Sequence, residues 1–125
     1  MEIYKVLKEK YENIEEYCTE SGDWEDQGVV AFEAGNFSMA VENFEKVIVA
    51  IPDHYNAYEI CSYALYKNDE KTKAIAYLEK AVEVAKSFDG EAKLPQEMIG
   101  DMEESLRRMR GNEELDADYI SEIME

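Results

Sequence analysis

Shifted by 34 residues, the sequence meets itself. Trp24 falls on Tyr58, Gly28 on Ser62, Ala31 on Leu65, Ala40 on Ala74, Phe44 on Leu78 and Val47 on Ala81. A fixed period near this length, with apolar residues at helical steps, points to a repeat whose units stack on their neighbours, here with two helical segments each. Large and small side chains also keep their places. Trp24 and Tyr58 are bulky where Gly28 and Ser62, four residues on, are small. Small residues let two helices approach, and bulky ones fill the space beyond. On this logic Ala40→Glu breaks the fold by burying an unpaired charge.

Turn signals bracket the units at Gly35-Asn36, Pro52-Asp53 and Asn68-Asp69. They predict helices from about 23 to 34, 37 to 51, 55 to 67 and 70 to 86. The run Val47-Ile48-Val49-Ala50-Ile51 is β-branched, but the repeat places it inside a helix. Before the repeats, Ile3, Leu7, Tyr11, Ile14 and Cys18 form one stripe and predict a single helix over 2–20, ending near Ser21-Gly22. After them, residues 87–94 form a looser link. Pro95 suits the first turn of a helix carrying Ile99, Met102, Leu106 and Met109, and Gly111-Asn112 ends it. A last helix, from about Glu113, carries Leu115, Tyr119, Ile120 and Ile123.

These residues resemble the tetratricopeptide repeat (TPR) family. That pattern has a large aromatic early in helix A and a small residue four later. Helix B has an early alanine, then a bulky residue, then a small one. Here Trp24, Gly28, Ala40, Phe44 and Val47 answer in one unit, and Tyr58, Ser62, Ala74, Leu78 and Ala81 in the next. Pro52 stands where the family closes a repeat. Gln27 departs from the usual apolar residue, and Lys86 replaces the second closing proline. The match covers residues 21–88.

The resemblance implies an all-α fold: antiparallel helical hairpins stacked as a short TPR-like right-handed solenoid. It divides one domain over 1–125 into an N-terminal capping helix (1–20), repeat 1 (21–54), repeat 2 (55–88) and a degenerate repeat or C-terminal cap (95–124). The degenerate repeat is favoured, because helix length and order fit; a homodimer completing the stack is a further option. The family's A helices line a concave groove. This resemblance places Glu25, Val29, Phe32 and Glu33, then Glu59, Tyr63, Tyr66 and Lys67, in it. That mix of acids and aromatics suits a peptide or protein rich in lysine or arginine. The co-chaperone subtype that clamps acidic tails uses basic and asparagine residues on this face. Glu25, Val29, Ile60 and Tyr63 stand there instead, so no such tail is expected to bind.

Charge agrees with this partner class. Thirteen basic residues oppose thirty acidic ones, for a net charge of −17. Residues 11–45 hold ten acids and no lysine or arginine. Such a surface repels nucleic-acid backbones and anionic lipid, and steers basic proteins. The acidity also serves solubility alone. A small acidic secretion-type chaperone holding unfolded substrates is the alternative to an adaptor or scaffold.

Signs of chemistry are few. His54, the sole histidine, reads as a turn residue with no nucleophile beside it. Cys61 reads as core and Cys18 as part of the first apolar stripe; neither has zinc-site spacing. The acidic run 113–118 lacks the glycine and glutamate of a calcium loop. Arg107, Arg108 and Arg110 suit the end of a helix and could pair with the acidic tail. No enzyme activity, cofactor or metal is expected. Without a signal-like or membrane-spanning segment, and with two cysteines, the expected location is cytoplasmic.

Overall fold

The computed structural model describes residues 2–124. Among them the regular structure is entirely helical: α1 (Ile3–Lys10), α2 (Ser21–Glu33), α3 (Phe37–Ala50), α4 (Tyr55–Lys67), α5 (Lys71–Ser87), α6 (Gln96–Arg110) and α7 (Ala117–Ile123), with a 3-10 turn at Gly90–Ala92. The helices α2 and α4 begin 34 residues apart, and so do α3 and α5.

The turns follow from local chemistry. Gly35 takes φ +80 and Asp69 φ +61, left-handed conformations that stop α2 and α4. Asn36 caps α3 by accepting from the Met39 N–H at 3.3 Å. His54 caps α4: its Nδ1 accepts from the Ala57 N–H at 3.0 Å. The histidine is therefore a helix cap in its turn.

The most extensive packing joins α4 to α5, α2 to α3 and α3 to α4; α5 meets α6 and α1 meets α3. The β-branched run lies in α3, where Val47, Ile48 and Val49 are buried. Gly28 shows why a small residue is needed. A Cβ there would lie 2.6 Å from the Phe44 ring, inside any tolerated contact. Ser62, its counterpart, is fully buried and donates to the Glu59 carbonyl at 2.6 Å. Ala40, Ala74, Phe44, Leu78, Val47 and Ala81 are all buried. Trp24 and Tyr58 share a register but not an environment. Tyr58 packs edge-on to Tyr77 inside the molecule, while Trp24 is half-buried beside Asn13 and Ile14.

Four expectations change. The helix expected over 2–20 stops at Lys10, and residues 11–20 turn back on themselves. Tyr17 takes φ +60, and its N–H donates to the Ala50 carbonyl at 2.6 Å, satisfying the end of α3. The apolar stripe is real at Ile3 and Leu7; beyond it, contacts with α3 override helical periodicity. Accordingly Ser21-Gly22 opens α2 instead of ending the first helix. At the other end, Pro95 stands just before α6, and α7 begins at Ala117, not near Glu113. Asp116 sets that start by accepting from the N–H groups of Asp118 and Tyr119.

The pair α6–α7 also differs from the pairs before it. The helices α2 and α3 pack along their length; α6 and α7 do not, and α7 instead touches α4.

Candidate partner-binding face

The touching point is Glu59, in the middle of α4 and 2% exposed. Its Oε2 accepts from the Tyr63 hydroxyl at 2.6 Å and from the Tyr119 hydroxyl of α7 at 2.5 Å. Tyr63 also reaches Ser105 of α6 at 3.1 Å, and its ring meets that of Tyr119 edge-on, 6.5 Å between centroids. One turn of α4 thus links α6 and α7. Burial pushes the Glu59 carboxyl above its ordinary range, with the neighbouring Asp101 adding to the rise, against the two hydroxyls that favour the ionised form. The same burial, beside the Glu59 charge, raises the Tyr63 and Tyr119 hydroxyls.

Two open hollows flank α7. One, about 390 Å³, is lined by Tyr55 and Glu59 of α4, Pro95, Glu97, Met98 and Asp101 at the start of α6, and Tyr119 and Ile123 of α7. The other, about 360 Å³, lies among Phe32, Glu33, Gly35, Phe37 and Lys67 on one side and Ala117, Ile120, Ser121 and Met124 of α7 on the other. The helix therefore occupies a face to which α2, α4 and α6 all contribute.

The eight residues expected to line a groove fall into three groups. Phe32, Glu33 and Lys67 come together at the second hollow, and Glu59 lines the first. Tyr63 is fully buried, and Tyr66 donates to the Glu113 carbonyl at 2.7 Å. Glu59 and Tyr63 are thus not open to a visitor while α7 is in place. Glu25 stands apart, 3.7 Å from His54 Nε2, and Val29 packs half-buried against the core.

Sequence reasoning missed Tyr119, Ile120, Ser105 and Asp101 as parts of this face. The apolar spacing of Tyr119, Ile120 and Ile123 announced a helix, but not where it docks. The arginine cluster has partners: Arg107 bridges Glu104 and Glu113, each at 2.8 Å, and Arg110 bridges Glu79 of α5 at 2.8 Å. Hydrogen bonds from Arg107 and Arg108 hold the Glu104 carboxyl down to about 2. These bridges fix the start of the link before α7 to α6.

A second buried carboxylate lies at the far end. Glu45 of α3, also 2% exposed, accepts from Tyr11 at 2.9 Å, Tyr77 at 2.8 Å and Lys10 at 3.1 Å. It fastens the N-terminal segment to α3 and α5. Among the described residues, no group of three or more His, Cys, Asp or Glu side chains is placed to hold a metal ion, and no helix is long and apolar enough to cross a membrane. No protein-family model, curated protein or solved structure matches the chain.

Proposed function

We propose that this protein is a binding module of the tetratricopeptide type, with the two 34-residue units as hairpins of a short right-handed solenoid. It holds a segment of another protein against the face shared by α2, α4 and α6. The observation that carries this reading is α7. A seven-residue amphipathic helix already lies on that face, through Tyr119, Ile120 and Ile123, without pairing along α6. A surface that accepts one helix in this way suits recognition of a helix in a groove. Buried titratable groups often mark catalysis. Here the bonds of Glu59 go to tyrosines that position helices, which supports binding over chemistry. Both cysteines are unpaired, in keeping with a reducing compartment.

The test is capture of partners from native lysate by the protein and by Glu33→Lys and Lys67→Glu variants. Both residues are exposed beside the second hollow, so the fold should persist. One defined partner, lost or weakened in a variant, supports an adaptor. A mixed set of unfolded exported proteins would point to a secretion chaperone instead. Capture unchanged by either substitution would move the binding site elsewhere.

A further inference from the structure

We propose that the face beneath α7 is a docking site for a basic amphipathic helix of a partner protein, which displaces α7 and sets a lysine or arginine against Glu59. This rests on the binding-module reading above and names the partner's chemistry.

The charge of Glu59 lacks a counterpart. Both hydroxyls reach Oε2, and no described residue donates to Oε1. Among the described residues no lysine or arginine pairs with it, whereas Glu45, equally buried, has Lys10 at 3.1 Å. A buried carboxylate without a cation is costly, and a cation delivered to it is correspondingly favoured. The adjoining hollow is shaped for such a group. It offers the carboxylates of Glu97 and Asp101 together with the apolar walls of Tyr55, Pro95 and Met98, and no basic side chain lines it. An alkyl stem ending in an ammonium or guanidinium group suits that mixture of wall and charge.

The present occupant is poorly matched to it. The segment from Glu113 to Glu122 carries five acids and no base, and the first hollow beside α7 is lined by Glu59, Glu97 and Asp101. With seven residues, α7 gains little from its own backbone, and helices this short are marginal without packing. A basic helix with the same apolar spacing would keep the packing of Ile120 and Ile123 and replace like charge by opposite charge. While α7 is docked, a visitor's apparent affinity falls by the fraction of time the face is open. An α7 docked about 99% of the time weakens binding about a hundredfold.

The probe is a fluorescent peptide copying residues 112–124 with Glu113, Glu114, Asp116, Asp118 and Glu122 each replaced by lysine and with Tyr119→Arg, and its control carries Tyr119→Leu in the same lysine background. Each is titrated into the full chain, into the full chain with Ile120→Ser and Ile123→Ser, and into Glu59→Gln. The arginine peptide should bind the double variant at least tenfold tighter than the unmodified chain. It should beat the leucine peptide at least tenfold, and that preference should vanish in Glu59→Gln. On binding the unmodified chain, the backbone NMR signals of α7 should move toward coil positions. Should the double variant unfold, Tyr119→Phe, which removes one hydroxyl, serves in its place with a gain of about fivefold or more. Equal binding of both peptides overturns the proposal, and so does a folded α7-weakened variant with no gain. Binding that leaves α7 signals in place and shifts those around Glu25 and Val29 also overturns it, yet keeps the binding-module reading. If no peptide binds and the lysate yields no partner, both fall.

Discussion

Glu45 and Glu59 are buried to the same depth, and each is gripped by two tyrosines, but they fasten opposite ends of the molecule in different ways. At Glu45 the donors come from the N-terminal segment and from α5, and Lys10 neutralises the charge. At Glu59 the donors come from its own helix and from α7, and no cation among the described residues answers. A carboxylate paired with a cation and fully hydrogen-bonded behaves as part of the core. One held by hydroxyls alone keeps an unmet demand for positive charge. The first clasp is built to stay closed; the second stays closed only until something better arrives.

The sharpest way to break this contrast is Glu45→Ala. It strands the buried hydroxyl of Tyr77 and the part-buried one of Tyr11 and leaves a cavity, while the half-exposed Lys10 simply rehydrates. Each orphaned buried donor costs about 1–3 kcal/mol, so the loss should be about 3 kcal/mol in denaturant unfolding. Glu59→Ala also strands two hydroxyls, but it removes a buried carboxylate that no cation among the described residues pairs with, so its loss should be smaller; equal losses would erase the distinction between the clasps.

Next in size is Tyr119→Phe. Only the bond to Glu59 is removed, so global stability should change little. Local opening of α7 should become easier by about 1–2 kcal/mol, read as faster amide exchange from Ala117 to Ile123 with α3 and α4 unaffected. Uniform acceleration across all helices would mean that α7 is integral to the core.

Smaller still is the pH response of Glu59. Its carboxyl is raised in the folded protein above the ordinary 4.5, chiefly by burial. The folded state then binds more protons than the unfolded one between those two values. Stability from this group is complete below about 4.5 and is lost as pH climbs through the raised value. Glu59→Gln cannot titrate. Relative to that variant the native protein should lose stability as pH rises from 4.5 to 8, in paired denaturation curves. A native protein that gains on the variant over this range would show Glu59 to be stabilised by its charge, as a paired carboxylate is.

How much of this could be read from the amino acids depends on distance along the chain. The spacing that sets α2 to α5 is local and periodic, and Gly28 against Phe44 has the close fit that spacing implied. The stop after Lys10 was not legible, because it depends on a backbone bond from Tyr17 to Ala50. The seat of α7 was even less so. Tyr119 and Glu59 are 60 residues apart, and nothing in either neighbourhood names the other. Glu59 and Tyr63 were expected to line an open groove, and both are buried on α4. Their burial was hidden, because a glutamate on a helix is ordinarily a solvated one.

The smallest effect separates clasps from ordinary buried tyrosines. Tyr58 precedes Glu59 on α4 and is fully buried, yet its hydroxyl has no hydrogen-bond partner among the described residues. Burial pushes that hydroxyl upward, as for the tyrosines at the clasps, so a raised hydroxyl alone does not identify a fastening. Partnership does. Tyr58→Phe removes an unsatisfied polar group while keeping the ring against Tyr77, and should raise stability by up to about 1 kcal/mol. Measured beside Tyr63→Phe, which strips a donor from Glu59 and should lower stability, the two changes should differ in sign. If both lower it equally, the tyrosines matter for packing alone, and hydroxyl bonding does not distinguish the ends of the molecule.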